Sequence, residues 1–517
     1  MKKILLAMVM ATSSIGMVAQ NAEWTKNISA LDVAKSQAGT VTAMVPSDGS
    51  VYVTGIYDKD FTFGSTDVNN PDAMASAYIA KYNAAGEEQW IVTLYGASAV
   101  GALTTSEDGT LYAACTIQDE VEVTYADNAT ETLNSPSVTS TAVLKITAAG
   151  AKVASKTIKP ANGVPSSRED WTDPCYITPR GMTLSGGKVY VAVNYTGNVA
   201  ALNWKGSYTD SWGAYMDNTS AGIFSLDTDL ASVASVATVQ MTGIVGESDA
   251  KPRGINITSQ DGVVYAGFFG SGKLTMTTPS DSKDFAFTVD DDDNTEYAFV
   301  VVAFEGATYK IYQYDAPAIS NMFGTFNVAG RDVVNGNLYL AGTYKGFLPF
   351  DNTKQSSEED EPNHFTADDL FAASINLSDM STNWGWTSGR DWATTNTLGG
   401  ATNVGFDNNG NTILAYHNGD SKYTAYITNE GALKYAKKEE AFDAIATGDT
   451  YSVYLYRNGA DLTVSYKDNV KTSIKGIEGA SNQATEIYTI NGVRVKEAAA
   501  PGLYIIKSAD GVQKVLK

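Results

Sequence analysis

Three arginines and one of the two histidines are the residues whose type and setting could carry chemistry. His417 follows an apolar stretch in Ala415–Asp420, where an imidazole could act as an acid, a base or a metal ligand. Arg180 and Arg253 stand in matching Pro-Arg-Gly settings, and Arg331 follows a glycine. A guanidinium can hold a carboxylate or sulfate, but it can also tie strands together through backbone carbonyls. The arginines can serve either role, and His417 can equally be a loop histidine without a catalytic or metal-binding role.

One run of carboxylates could bind a metal ion. It consists of Asp290, Asp291, Asp292 and Asp293. Clustered carboxylate oxygens suit a hard cation such as Ca²⁺, but the run lacks the glycine and the terminal glutamate of a calcium loop. A Ca²⁺ site and a solvated acidic loop are both open. The sequence indicates no other cofactor.

Aromatic residues form two clusters that could bind a glycan or a peptide through flat apolar contacts. Trp212 belongs to the first cluster, at 171–215, and the second covers 384–392. Trp90 and Trp384 occupy outer-strand positions of the repeats described below, which indicates packing between repeats. The sequence favours packing over a sugar platform for these aromatic residues.

Composition excludes several classes of function. The 517 residues carry a formal net charge of −22, so the chain has no general attraction for nucleic acid or for an anionic membrane. Two cysteines, Cys115 and Cys175, cannot form a disulfide framework, although one bond is open. Phosphate-binding loops, zinc-protease motifs and nucleophile elbows are missing from the sequence. No apolar stretch is long enough for a transmembrane helix.

The elements that must position these residues come from an internal repeat. A tight turn followed by an apolar strand recurs at Ser47–Val53, Glu107–Ala113, Ser185–Val191, Gln260–Ala266, Val334–Leu340, Asn409–Leu414 and Thr447–Val453. Asp-Gly and Asn-Gly favour two-residue hairpin turns. A second strand pair follows each of the first six copies, so each unit holds about four strands, which is typical of a β-propeller blade. The fold class is therefore all-β: a β-propeller of seven blades, or six with an irregular final hairpin.

Ring closure is a separate prediction. The seventh unit lacks its last strand, and the segment around Trp24 is similar to the outer strand that contains Trp90. An N-terminal strand that completes the last blade would cover two edges at once. Blade one also resembles β-propeller repeats of the "YVTG…AYIAKYNAAG…W" type, through Tyr52–Gly55 and Ala77–Trp90.

The two ends of the chain predict its destination. Residues 1–19 show the basic start, apolar core and small-residue cleavage pattern of a secretory signal peptide, residues 20–472 hold the propeller, and residues 473–517 form a small C-terminal β-module. The module resembles the C-terminal sorting domain of the type IX secretion system of Bacteroidetes. The matching positions are Gly492 in the "INGVRV" hairpin, Gly502 and Tyr504 in "PGLYIIK", and Lys514 and Lys517 in the last strand. The resemblance implies the secretion machinery as a partner and a secreted or cell-surface location.

These observations predict a secreted or cell-surface, non-catalytic propeller that binds an extracellular glycan, peptide or protein. Two alternatives stay open. One is an extracellular polysaccharide-degrading enzyme whose carboxylates lie at the propeller mouth. The other is a structural surface or matrix protein.

Overall fold

The computed structural model describes residues 23–32, 41–45, 48–161, 164–165, 172–173, 175–206, 220–243, 253–271, 273–287, 295–319, 326–356, 369–388, 403–407, 409–418, 421–438, 442–448, 451–458, 460–468, 484–489, 494–495, 503–508 and 511–516. The described chain is all-β and β-propeller-like, with one 3-10 turn at Ala200–Leu202. It divides into two compact units, Met1–Lys467 and Asp468–Lys517. The predicted all-β fold class is confirmed.

The first unit is built from four-stranded antiparallel groups, numbered here in chain order. Group one contains β2 (Thr42–Met44), β3 (Val51–Tyr57), β6 (Ser76–Tyr82) and β7 (Glu88–Tyr95). Group two contains β8 (Ser98–Thr105), β9 (Leu111–Thr124), β10 (Thr130–Ile146) and β11 (Lys152–Ile158). Group three contains β14 (Ile177–Ser185), β15 (Lys188–Tyr195), β16 (Ser220–Asp227) and β17 (Val233–Gly243). Group four contains β18 (Arg253–Gln260), β19 (Val263–Ser271), β22 (Thr295–Glu305) and β23 (Thr308–Ile319).

The remaining groups follow the same order of pairing. Group five contains β24 (Phe326–Val334), β25 (Asn337–Tyr344), β28 (Asp369–Asn376) and β29 (Thr382–Thr387). Group six contains β30 (Asn403–Phe406), β31 (Thr412–Asn418), β32 (Ser421–Ile427) and β33 (Leu433–Lys438). Group seven contains β34 (Ala444–Thr447), β35 (Tyr451–Asn458), β36 (Asp461–Asp468) and, from the other end of the unit, β1 (Trp24–Ile28). β1 pairs antiparallel with β36, from Trp24 opposite Tyr466 to Ile28 opposite Leu462.

Short hairpins are inserted between the second and third strands of several groups. They are β4 (Phe61–Phe63) with β5 (Thr66–Val68), β20 (Lys273–Thr277) with β21 (Ser282–Ala286), and β26 (Phe347–Leu348) with β27 (Asp351–Gln355). A further small pair lies before group three, β12 (Val164–Pro165) with β13 (Thr172–Asp173). Hairpin β20–β21 belongs to group four in sequence but pairs with β17, so it covers the outer edge of group three. The last three residues of β9, from Glu122 to Thr124, likewise pair with β7. Hairpin β20–β21 and the end of β9 thus pair edge strands that would otherwise be open, whereas the other inserted pairs are separate two-stranded sheets.

The turn residues form the hairpins for the reason the sequence suggests. Asp108 Oδ1 accepts a hydrogen bond from the Thr110 backbone N–H at 2.9 Å, and Gly109 takes a positive φ of 78°. Hydrogen bonds from the Ser106 hydroxyl and from Thr110 lower the pKa of Asp108 to about 2. An Asx turn of this kind fixes the first strand of group two against the second.

The first strands of the groups contact one another in the cyclic order β2, β8, β14, β18, β24, β30, β34 and again β2. Their backbones approach closely. A Cβ atom built on Gly101 of β8 would lie 2.7 Å from Pro179 Cγ and 2.9 Å from the Pro179 carbonyl oxygen of β14. Real Cβ contacts are longer than this, so a glycine is required there. The first strands therefore form the innermost layer of the unit.

A half-buried ion pair links the extended hairpin β9–β10 to β11. Lys152 Nζ lies 2.7 Å from Glu131 Oε2, the Ser155 hydroxyl donates to Glu131 at 2.8 Å, and the Tyr125 hydroxyl donates to its other oxygen. Burial raises the pKa of Glu131, but the hydrogen bonds from Lys152, Tyr125 and Ser155 outweigh it, so the pKa lies below its ordinary value. A depressed carboxyl pKa stabilises the fold above the unfolded-state pKa, and this stability is lost as the pH falls through the folded-state pKa.

We expect Glu131→Gln to lower the free energy of unfolding by about 1 to 3 kcal/mol at pH 7, because three donors lose a charged acceptor. Urea denaturation at pH 7 and at a series of lower pH values measures the effect, which should shrink as the pH falls through the lowered folded-state pKa of Glu131. Glu122→Gln, at an exposed position of the same hairpin, is the control. An equal loss from both substitutions at pH 7 would contradict the prediction.

The second unit is a small antiparallel sheet. Its strands are β37 (Ala484–Thr489), β38 (Arg494–Val495), β39 (Leu503–Ser508) and β40 (Gly511–Leu516), and they lie in the order β38-β37-β39-β40. Tyr504 pairs with Thr489 on one side and with Val515 on the other, and Lys514 pairs with Ile505. Gly492, Gly502 and Lys517 lie outside the described residues.

Candidate functional site

The three arginines singled out in the sequence lie on the first strands of three successive groups. Arg180 lies in β14 and is exposed, at a bulge where the pairing register shifts between Pro179 and Gly181. Arg253 begins β18, where its backbone pairs with Phe269, and its side chain is outside the described part of the structure. Arg331 lies inside β24 and pairs with Leu340. A bulge adds one residue to a strand and redirects the side chains beside it, so the arginines do not occupy equivalent positions.

Arg331 is directed into the layer between groups four and five. It lies two residues before Val333, which places both on one face of β24, and Val333 packs in an apolar cluster with Phe299 and Leu340. Arg331 is half-buried as a residue, but its Nε and Nη2 atoms are shielded from solvent and have no hydrogen-bond partner among the described residues. Burial lowers the pKa of Arg331 to about 9. An uncompensated buried guanidinium is unusual, because buried charges are normally paired.

A row of polar side chains, which sequence reasoning missed, crosses the neighbouring inner strands. The hydroxyls of Thr183 in β14 and Ser259 in β18 lie 2.6 Å apart, and the Thr258 hydroxyl is 3.5 Å from Asp332 Oδ1 in β24. Asp332 also accepts the Val333 backbone N–H at 2.8 Å. Burial raises the pKa of Asp332, and these two hydrogen bonds only partly offset it. The sequence signal for this row is the recurrence of Thr, Ser or Asp one or two residues before the end of the innermost strands.

Three predicted sites fall wholly or partly outside the described residues. The backbone of His417 lies in β31 and pairs with Lys422, while its side chain is not described. Trp212 and the four aspartates Asp290, Asp291, Asp292 and Asp293 are outside the described ranges altogether. Within the described ranges, no group of three or more His, Cys, Asp or Glu residues could hold a metal ion. Cys115 and Cys175 are both buried and are not disulfide-bonded.

Three tryptophans pack between adjacent groups through the same contact. The indole Nε1 of Trp90 donates to the Ala148 carbonyl at 3.0 Å, that of Trp24 to Ala84 at 3.1 Å, and that of Trp384 to Asn429 at 2.8 Å. In each case the acceptor belongs to the outer turn of the following group, and a glycine of that turn lies against the indole ring. The predicted packing role of Trp90 and Trp384 is confirmed.

Tyrosines of the second strands reach the next group as well. The Tyr52 hydroxyl donates to the Gly109 carbonyl of group two at 2.7 Å, and the Tyr112 hydroxyl donates to the Thr228 carbonyl of group three at 3.1 Å. Desolvation by burial raises the pKa of Tyr52 and Tyr112 above the ordinary value. These hydroxyls therefore act as hydrogen-bond donors that lock neighbouring groups together.

The chemistry available at Arg331 and Asp332 follows from their hydrogen-bond donors and acceptors. Arg331 offers two unused N–H donors on one side of a guanidinium, and Asp332 carries a desolvated carboxylate on the same strand. The two residues are consecutive in β24 and therefore lie on opposite faces of the strand, so each can bind a polar group by hydrogen bonds on its own side.

No family model and no curated protein matches the chain. A variant of the apocarotenoid oxygenase of Synechocystis is similar to it with a TM-score of 0.33 and 10% identity, over 82% of this chain and 94% of the other. Virginiamycin B lyase of Staphylococcus aureus is similar with a TM-score of 0.28 and 9% identity, over 86% and 100%. With TM-scores this low, neither likeness bears on the activity or the ligand of the chain. Among the described residues, no helix is long and apolar enough to cross a membrane.

Proposed function

We propose that the chain is a secreted or cell-surface, non-catalytic binding protein. Its first unit would be a seven-bladed propeller that β1 closes, and its second unit would be a sorting module for the type IX secretion machinery. The ligand would be an extracellular glycan, peptide or protein. The proposal is supported most directly by the separation of Asp468–Lys517 as a β-unit of its own, after the cleavable-signal pattern of residues 1–19.

Two observations support seven blades with closure. The innermost strands contact one another in a complete cycle, and β1 pairs with β36 although the two are far apart in sequence. A ring of this kind removes the free edges that a linear array of sheets would leave at its ends. The tryptophan contacts from group to group, including that of Trp24 with Ala84 of group one, add rigidity to the same cycle.

Secretion gives the decisive test. A chain that ends at Lys467 should be retained in the periplasm of a Bacteroidetes host with a type IX system, whereas the full chain should reach the surface or the medium. Immunoblots of fractionated cells and medium measure the distribution. The matched control is the full chain without residues 1–19, which should remain in the cytoplasm. Equal export of the full and shortened chains would contradict the sorting role.

Binding and catalysis are separated by a second experiment. The purified full chain is applied to an array of extracellular glycans and, in parallel, incubated with soluble polysaccharides and peptides whose products are followed by mass spectrometry. We expect retention of a ligand without products. Turnover of any of these substrates would overturn the non-catalytic assignment and favour the polysaccharide-degrading enzyme.

A further inference from the structure

The two unpartnered nitrogens of Arg331 form one functional edge. Nε–H and one Nη2–H bond point in parallel from the same edge of the planar guanidinium, which is the arrangement that donates to both oxygens of a carboxylate at once. Both atoms lack an acceptor among the residues that the structure describes. The remaining nitrogen, Nη1, is directed at Gly267 of group four.

The residue type at Arg331 differs from the residue types at the equivalent positions of groups two, three and four. The residues at the same place in the pairing of β8, β14 and β18 are apolar: Leu103, Met182 and Ile257. The second-strand position that pairs with the preceding residue is Ala114 in group two, Ala192 in group three and Ala341 in group five, but Gly267 in group four.

The glycine makes room for the guanidinium. A Cβ atom on Gly267 would lie 2.9 Å from Arg331 Nη1 and 2.6 Å from Phe299 Cζ, which is too close for either. An arginine in an apolar layer and a glycine opposite it therefore occur together at one place between two groups. A purely structural layer would be better stabilised by an apolar side chain, because a desolvated charge without a partner destabilises the fold.

We propose that Arg331 binds the carboxylate group of a ligand in a bidentate manner, through Nε and Nη2. The inference rests on the proposed binding function for its biological meaning, but the site itself is defined by the residues above. Arg331 is half-buried and its Nε and Nη2 atoms are shielded, so a carboxylate must displace the groups that cover them, and association is slower than diffusion. The carboxylate can belong to a free small acid or to a uronic acid residue of a polysaccharide.

Ligand-dependent stability tests the site in the full chain. Thermal unfolding is followed from 0 to about 100 mM sodium acetate at constant ionic strength, with sodium chloride as the balancing salt, since a ligand of the native state raises Tm in a saturable way. Wild type should show a saturable rise with acetate. Arg331→Met should show none, and Arg331→Lys, which keeps the charge but not the fork, should bind acetate at least about tenfold more weakly.

Arg180→Met is the matched control, because Arg180 is an exposed arginine on another inner strand. It should retain the wild-type response to acetate. An identical response of wild type to acetate and chloride, an undiminished response in Arg331→Lys, or an equal loss in Arg180→Met would each overturn the proposal. A galacturonate oligosaccharide in the same assay distinguishes the two sources: tighter binding than acetate assigns the site to a polysaccharide, and equal binding assigns it to a small acid. Equal export of the full and shortened chains, which would contradict the sorting role, would leave this result unaffected.

Discussion

Replacing Trp24 with alanine should lower the free energy of unfolding by about 3 kcal/mol, within the range measured when a large aromatic side chain is removed from a packed site. The Trp24 ring stacks on Tyr466 with centroids 5.3 Å apart and planes 4° apart, and Tyr466 in turn stacks on Tyr451 at 4.8 Å. The indole Nε1 of Trp24 donates to the Ala84 carbonyl of group one. One side chain thus holds β1 to group seven and group seven to group one.

The measurement is equilibrium unfolding in guanidinium chloride, followed by far-UV circular dichroism. Trp24→Phe should cost less than Trp24→Ala, because the stacking on Tyr466 survives while the hydrogen bond to Ala84 is lost. Thr25→Ala is the control on the same strand, since Thr25 is exposed and its hydroxyl lies 3.2 Å from that of Ser465. If Trp24→Ala cost no more than Thr25→Ala, β1 would not contribute to the stability of the first unit.

The strand groups could be predicted from the sequence because local signals encode them. Asp-Gly and Asn-Gly turns fix where each hairpin reverses, as Asp108 and Gly109 illustrate, and apolar strands flank them. The N-terminal strand was predictable for a different reason. The Trp24 segment resembles the segment around Trp90, and both tryptophans make the same contact to the following group.

The sequence singled out Arg331 as a candidate residue, but the burial and surroundings of its side chain could not be predicted from the sequence. The sequence matched Arg180 with Arg253 by their Pro-Arg-Gly settings and placed Arg331 nearby but out of register. Bulges in β14 and β24 give Arg180 and Arg331 different surroundings. The room for the Arg331 guanidinium depends on Gly267 of group four, which lies far from Arg331 along the chain. Contacts between groups are set by packing, and a single sequence carries no direct signal for them.

The second large effect on stability is expected at Gly150, a turn glycine that lies against the Trp90 ring. Gly150 has a φ of 85°, and a Cβ atom there would lie 2.5 Å from Ala126 Cβ and 2.8 Å from Trp90 Cδ2. Gly187 has a φ of 75°, but nothing lies within 4 Å of its Cβ position. Alanine at either position is strained by about 1 to 2 kcal/mol because of the positive φ. Only Gly150→Ala must also displace the Trp90 ring, and such overpacking costs about 1 to 3 kcal/mol more.

Gly150→Ala should therefore destabilise the chain more than Gly187→Ala by about 1 to 3 kcal/mol, the overpacking cost alone. Guanidinium chloride unfolding of both variants gives the difference, and Trp90 fluorescence in the native state should shift only in Gly150→Ala. A double variant, Gly150→Ala with Trp90→Ala, tests the cause: removal of the ring should relieve the clash, so the two losses should be less than additive. Strict additivity would show that the turn and the indole ring do not act together, and that the contact between groups one and two is not the source of the strain.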